Sequence, residues 1–310
     1  MALKAREGDI VKTKEEVFFD VKGIVHPPRK VVAFIRFVPN LEGNRKFGEI
    51  RYQKVYPLAE RYALLEKDFP QYLVYDEVFD EYLCEIPTKA IKEHYKPVDR
   101  LRELHRSTEL DDIEKNALQF AKLLKETASI SWCKIGVSGS ILIKLHTKDS
   151  DIDPIIYGSE NCRKVYWALK TLLKDKTSFV KPYNLEDLKK LFAFRSKDTV
   201  TSFEDFVRTE SRKILQGKFM GTDYFIRFVK DWSEITEKYG WIRYTTEGYA
   251  KIKAKIMDDS DAIFTPCTYK IENAKILEGT STSKPIEEIA SFRGRFCEQA
   301  IKGETVIAQG

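Results

Sequence analysis

Residues 136–158, GVSGSILIKLHTKDSDIDPIIYG, constrain the fold of this chain more than any other stretch. The apolar run WCKIGV ends at a glycine-serine pair, Gly139 and Ser140, and 11 residues after Ser140 come two aspartates, Asp151 and Asp153, separated by one isoleucine. In an extended segment successive side chains alternate faces, so both carboxylates point one way while Ile152 points into a core. Like charges so placed repel, and each pKa rises unless a cation sits between them. A glycine turn from strand into helix brings backbone N–H groups, a hydroxyl and a helix N-terminus to the same place. Mg²⁺ takes one or two carboxylates together with phosphate oxygens and water, and two such ions can activate an attacking oxygen and neutralise a leaving pyrophosphate. The pattern reads as a phosphoryl-transfer site.

The rest of the chain organises around this stretch as an α+β protein in three modules. Residues 1–98 form a β-rich module with one helix: EVFFDVKGIV, KVVAFIRFVP and EIRYQKVYPL read as three strands of a meander, LAERYALLEKD as the helix, and Pro97 as the boundary. Residues 99–238 hold the core, a small mixed sheet backed by helices. Leu110, Ile113, Ala117, Phe120, Ala121 and Leu124 make one apolar helical stripe, CRKVYWALKTLLKD makes another, and DYFIRFVKDW is the last strand. Residues 239–310 alternate between apolar and polar, broken by Gly and Ser/Thr clusters, and predict a mostly β module shaped as a small barrel.

Composition narrows the class. With 43% apolar and 33% charged residues the chain is globular. No apolar run reaches the length needed to cross a bilayer and MALKAREGDI has no secretory core, so the expected location is cytoplasmic, away from membranes. Five cysteines without a CxxC pair argue against a disulfide framework or a structural zinc. A net charge of +5 leans toward polyanionic partners without deciding for them.

On Gly139, Ser140, Asp151 and Asp153 the chain resembles the polymerase-beta-like nucleotidyltransferase superfamily over about residues 110–235. As a whole it looks like a group of archaeal proteins described only as predicted nucleotidyltransferases. The resemblance implies transfer of a nucleoside monophosphate from an NTP to an acceptor, with Mg²⁺ or Mn²⁺ on Asp151 and Asp153, Gly139 and Ser140 at the phosphates, and pyrophosphate released. It also implies a third metal-binding carboxylate on a later strand. Asp223 is the candidate, with a further part in deprotonating the nucleophile, and Asp231 is the reserve. Arg227 shares the Asp223 face and is expected near the triphosphate, unless it occupies the place of the third Asp. Where many members carry a second glycine this chain has Lys144, a candidate phosphate contact or a solvated side chain. Pro154 removes a strand N–H and predicts a strand that is irregular or paired on one side only. These departures keep a second expectation open, a catalytically inactive relative that binds RNA or a protein partner. Which NTP is used, and which acceptor, has no local motif.

Three more stretches bear on function. HPPRK at 26–30 reads as a rigid turn. SFRGRF at 291–296 suits stacking on bases or gripping phosphate, but is favoured as a barrel turn with solvated arginines. Lys251, Lys253 and Lys255 share a strand face whose default is solvation, with a nucleic-acid track as the alternative. Asp258, Asp259 and Asp261 read as a turn.

Overall fold

The computed structural model describes residues 3–310. Its N-terminal part contains β1 (Ile10–Thr13), β2 (Phe18–Val21), β3 (Lys30–Pro39), β4 (Arg45–Phe47), β5 (Ile50–Lys54), helix α1 (Leu58–Asp68), β6 (Leu73–Asp76), β7 (Glu81–Pro87) and β8 (Ile91–Tyr95). The three-strand expectation undercounts because strands such as IVKT, RKF and LVYD are too short to display an alternating period. All pairings are antiparallel, in the order β4-β5-β3-β2-β1-β8, with β7 joined to the start of β3 and β6 to β7. Alternation in β3 buries Val31, Ala33, Ile35 and Phe37 and leaves Val32, Phe34 and Arg36 on the other, half-exposed face. His26 holds the turn of HPPRK in place, its Nδ1 accepting from Val32 N–H (3.3 Å) and its Nε2 lying 3.1 Å from Ala5 O.

The central part runs α2 (Pro97–Arg106), α3 (Asp112–Thr127), β9 (Ile135–Val137), α4 (Gly139–Leu142), β10 (Pro154–Tyr157), α5 (Ser159–Lys174), β11 (Val180–Lys181), α6 (Leu185–Arg195), α7 (Phe203–Glu210), β12 (Gln216–Phe219), β13 (Thr222–Phe225) and β14 (Arg227–Val229). Helix α2 escapes the sequence reading, which treats Pro97 as a break; Pro at the first helical position loses only an N–H that had no partner there. A reciprocal capping box of Asp111 and Glu114 starts α3, whose apolar stripe is buried. Strand β10 lies between an antiparallel β9 and a parallel β14, so it is paired on both sides and not on one only, since Pro154 at its start removes a single N–H.

The single strand expected over DYFIRFVKDW is two strands, interrupted at Ile226, whose N–H turns away to Leu215 O (2.7 Å). Pro154 stands opposite that gap in the register and offers no N–H to bridge it, so the irregularity expected at Pro154 falls on its neighbour.

The C-terminal part consists of β15 (Ala250–Asp258), β16 (Cys267–Gly279), β17 (Glu288–Ser291) and β18 (Thr305–Gln309). They form an open antiparallel sheet ordered β17-β16-β15-β18, not the expected barrel: the short edge strands pair on opposite sides of the long β15–β16 hairpin and never meet. One apolar cluster runs from Phe120 and Leu124 of α3 through Phe228 to Ile256, Phe264 and Tyr269, so this sheet and the central helices share a core. A separate cluster seats Leu142, Ile143 and Leu145, just past the Gly-Ser turn, among Ile10, Phe18, Phe37 and Tyr52 of the N-terminal sheet. That contact fixes the N-terminal sheet beside the turn. The fold is thus mixed α/β with several sheets, and among the described residues no helix is long and apolar enough to cross a membrane.

Candidate active site

Asp151, Ile152 and Asp153 run extended into β10. Ile152 is tied to β13 by its own N–H to Asp223 O (2.8 Å) and by Phe225 N–H to Ile152 O (3.0 Å). Ile152 and its partner Tyr224 are buried, so Asp151 and Asp153 share the opposite face. The same parallel register continues into Ile155 and Arg227, setting Asp223 beside Asp151, Phe225 beside Asp153, and Arg227 next in line. On the other side Ser138 N–H donates to Asp153 O (2.8 Å), and Gly139 takes a φ of +61°. A β-carbon on Gly139 would lie 1.9 Å from Asp153 Oδ2, so glycine is required both for its conformation and for the close approach. Burial and the neighbouring Asp151 push the Asp153 carboxyl up to about 7, against the opposing pull of Arg227, Lys54 and Arg36.

The other sequence candidates are placed less uniformly. Asp223 is half exposed and paired with Lys218 at 3.0 Å, which also holds Asp187 at 3.2 Å. Asp231, the reserve, caps the turn at Trp232 and pairs with Lys134, away from the two aspartates. Ser140 is buried and its hydroxyl donates to Ser150 Oγ (3.3 Å) instead of facing a ligand. Lys144 is on the outside, 61% exposed and 4.0 Å from Glu103, because the segment that follows the turn points its apolar residues at the N-terminal sheet. Arg227 does reach the site but shares Glu7 with Lys22, at 3.3 and 3.2 Å. Among the described residues, the cluster of three ligand-type side chains that closes to within 4.8 Å is Asp111, Glu114 and His146; two of these are the α3 capping box, and Arg100 pairs with Glu114. Asp151, Asp153 and Asp223 are not drawn that close together.

The carboxylates lie on the floor of a cleft of about 1260 Å³ walled by all three parts of the chain. The N-terminal part contributes Arg36, Lys54 and Arg61, which no motif signalled. The one sequence hint is the alternation of β3, which leaves Arg36 on the face away from the core. Arg61 donates to Val55 O (3.3 Å), and burial together with Arg36 lowers its pKa to about 10. The C-terminal part contributes SFRGRF, which is not a solvated turn. Arg293 and Arg295 both pair with Asp198, and a β-carbon on Gly294 would come within 2.9 Å of the ring of Phe225, which stands beside Asp153 in the register. An extended strap over residues 235–249 borders the cleft: Tyr239 donates to Asp76 (2.9 Å), Tyr244 N–H to Val78 O (2.8 Å) and Thr246 N–H to Asp80 (2.8 Å). On the lysine strip of β15, Lys251 and Lys255 pair with Glu278 and Glu272, at 3.0 and 3.1 Å, and Lys253 between them is exposed.

Asp151 and Asp153 on one face, with Asp153 held partly protonated by burial and by Asp151 beside it, make an all-oxygen donor set that suits a hard divalent cation. No family model and no solved structure matches the chain. It is 34% identical over 317 residues to the uncharacterized protein MJ1086 of Methanocaldococcus jannaschii, an alignment covering 99% of this chain and 90% of that one, and it belongs to the same family as that protein.

Proposed function

We propose that the chain is a nucleotidyltransferase with a polymerase-beta-like core, moving a nucleoside monophosphate from an NTP to an acceptor and releasing pyrophosphate. The observation that carries the reading is the pair Asp151 and Asp153, side by side on the floor of a large cleft, with Asp153 seated on Gly139. Asp151 and Asp153 are the residues that would hold Mg²⁺ or Mn²⁺, and Asp223, beside Asp151 in the register, would join them on leaving Lys218. An ion bound there supplies charge neutralisation for a triphosphate and its leaving pyrophosphate. The chain does the positioning: β9 and the Gly139 turn fix Asp153 from one side, and β13 fixes the Asp151–Ile152 backbone from the other. Glu7 keeps Arg227 oriented toward the floor, where its charge favours the anionic form of Asp153.

The test is Mg²⁺-dependent pyrophosphate release from each NTP, with RNA or protein supplied as acceptor. Release is expected in the wild type and lost in Asp151→Ala and Asp153→Asn; full release by Asp151→Ala refutes the assigned site. A second reading, an inactive relative that binds RNA or a protein partner, draws support from the Asp223–Lys218 pair and the occupied Ser140 hydroxyl. Strong, salt-dependent RNA binding with neither NTP binding nor pyrophosphate release would favour it.

A further inference from the structure

Of the four residues expected from sequence to meet phosphate, none offers an uncommitted side chain in the cleft. Gly139 has no side chain, Ser140 bonds Ser150, Lys144 faces outward near Glu103, and Arg227 is bound to Glu7. The cleft nevertheless carries positive charge on the wall built by the N-terminal sheet. Strands β3 and β5 are adjacent, with Phe37 opposite Lys54 in the register, and Val55 N–H donates to Arg36 O (2.9 Å), so Arg36 and Lys54 lie near the same end of these two paired strands, where both line the cleft. Helix α1 brings in Arg61, and the three cations have one carboxylate among them, Asp20, 3.4 Å from Arg36. Among the described residues neither Lys54 nor Arg61 forms an ion pair. The guanidinium of Arg36 lies 4.9 Å from the Tyr56 ring, and Tyr56 itself packs against Phe194 with ring centroids 4.7 Å apart.

Buried or half-buried like charges with a single carboxylate among them are costly to fold unless a ligand repays them. The electrostatics agree with the geometry. Burial and Arg36 pull the Lys54 ammonium below its ordinary pKa, while Asp151 and Asp153 pull it upward. For Asp20, burial raises the carboxyl, and Arg36, Lys22 and Arg61 more than offset that. We propose that Lys54, with Arg36 and Arg61, forms an anion subsite for the phosphate groups of a substrate bound in the cleft, so that the N-terminal β-module completes the active site. The ligand class follows from the wall: forked guanidinium donors and an ammonium facing an acidic floor accept phosphate oxygens, while the floor accepts the associated metal ion. The identity of the ligand as a nucleotide rests on the reading proposed above; the subsite does not.

The experiment is calorimetric titration of inorganic tripolyphosphate, with and without Mg²⁺, into the full chain. Lys54→Gln and Arg61→Gln are expected to weaken binding at least tenfold, Lys54→Arg to retain it, and Lys253→Gln on the outer face of β15 to leave it unchanged. Thermal melts of each variant separate lost binding from lost folding, and retention by Lys54→Arg guards against a merely structural role for Lys54. Competition then reads the source of the phosphates. A non-hydrolysable NTP analogue that displaces tripolyphosphate assigns the subsite to the donor nucleotide, and one that binds alongside it assigns the subsite to a phosphorylated acceptor. Wild-type affinity in Lys54→Gln, or no tripolyphosphate binding by the wild type, overturns the proposal. A protein that binds tripolyphosphate through Lys54 yet releases no pyrophosphate would keep the subsite and sink the transferase reading.

Discussion

Replacing Gly139 by alanine tests whether the Gly-Ser turn exists to seat Asp153. Two costs arise, and the structure separates them. The first is conformational: at φ +61° an alanine pays about 1–2 kcal/mol for the left-handed region, partly offset by a stiffer unfolded chain. The second is contact: the new β-carbon would sit 1.9 Å from Asp153 Oδ2, 2.9 Å from its Cγ and 3.3 Å from its Cβ. The Asp153 backbone cannot retreat easily, since its carbonyl is held by Ser138 N–H and the next residue is locked into β10, so the carboxylate must swing aside by roughly an ångström or more. Overpacking of this kind costs about 1–3 kcal/mol. Gly48 supplies the control, with φ +58° and nothing within 4 Å of a β-carbon. Gly48→Ala should lose only the conformational part, about 1 kcal/mol or some 2–4 °C in melting temperature. Gly139→Ala should lose about 2–4 kcal/mol by thermal or urea unfolding, and its Mn²⁺ affinity, read by titration, should fall at least tenfold while Gly48→Ala leaves it unchanged. Equal losses in the two variants, with metal affinity intact in both, would refute the claim that Gly139 seats the carboxylate.

Other outcomes follow from the same geometry. In metal-free buffer the folded Asp153 titrates near pH 7, well above the unfolded value near 4, so its contribution to stability is complete below pH ~4 and lost as pH rises through ~7. The loss is at most about 4 kcal/mol, and Asp153→Asn should abolish it, gaining on the wild type in melts taken from pH 4.5 to 7.5; parallel profiles would contradict the assignment. Glu7 is buried between Lys22 and Arg227 and accepts from Gly23 N–H (2.8 Å), so Glu7→Gln should cost about 3 kcal/mol in urea unfolding. Tyr239→Phe removes the hydroxyl that ties the strap to Asp76 and should cost about 1 kcal/mol, with faster amide exchange confined to residues 235–249.

Sequence and structure agree where a feature is local and diverge where it depends on distant pieces. The α3 stripe and its capping box can be read from the chain because both depend on residues three or four apart. The face shared by Asp151 and Asp153 follows from strand alternation alone. The break at Ile226 does not, because its cause is a proline 72 positions earlier that becomes a neighbour only through parallel pairing. Lys144 shows the converse: its spacing from Ser140 suits a phosphate contact, but Leu142, Ile143 and Leu145 dock into the N-terminal sheet and turn the lysine to solvent. Arg293 and Arg295 have a suggestive composition, yet nothing near them in the chain reveals that Asp198 holds them or that Gly294 abuts Phe225.

The charge pattern of the cleft bears most directly on function. Among the described residues, Lys54 and Arg61 on one wall form no ion pair with a carboxylate and Asp151 on the floor forms none with a cation, while Asp153 is crowded enough to hold a proton near neutrality. Had stability alone shaped these residues, the two sets would be expected to meet as ion pairs, as Glu210 does with Arg195 and Lys213 elsewhere in the central part, at 2.6 and 2.7 Å. Among the described residues they form no ion pair with one another, although both line the cleft of about 1260 Å³ and Asp151 and Asp153 still pull on Lys54. Opposed charge sets that line one cleft without pairing fit a ligand that carries both signs, anionic where it meets the wall and cationic where it meets the floor. A polyphosphate with its divalent ion has that distribution, whereas a neutral metabolite would leave both sets uncompensated.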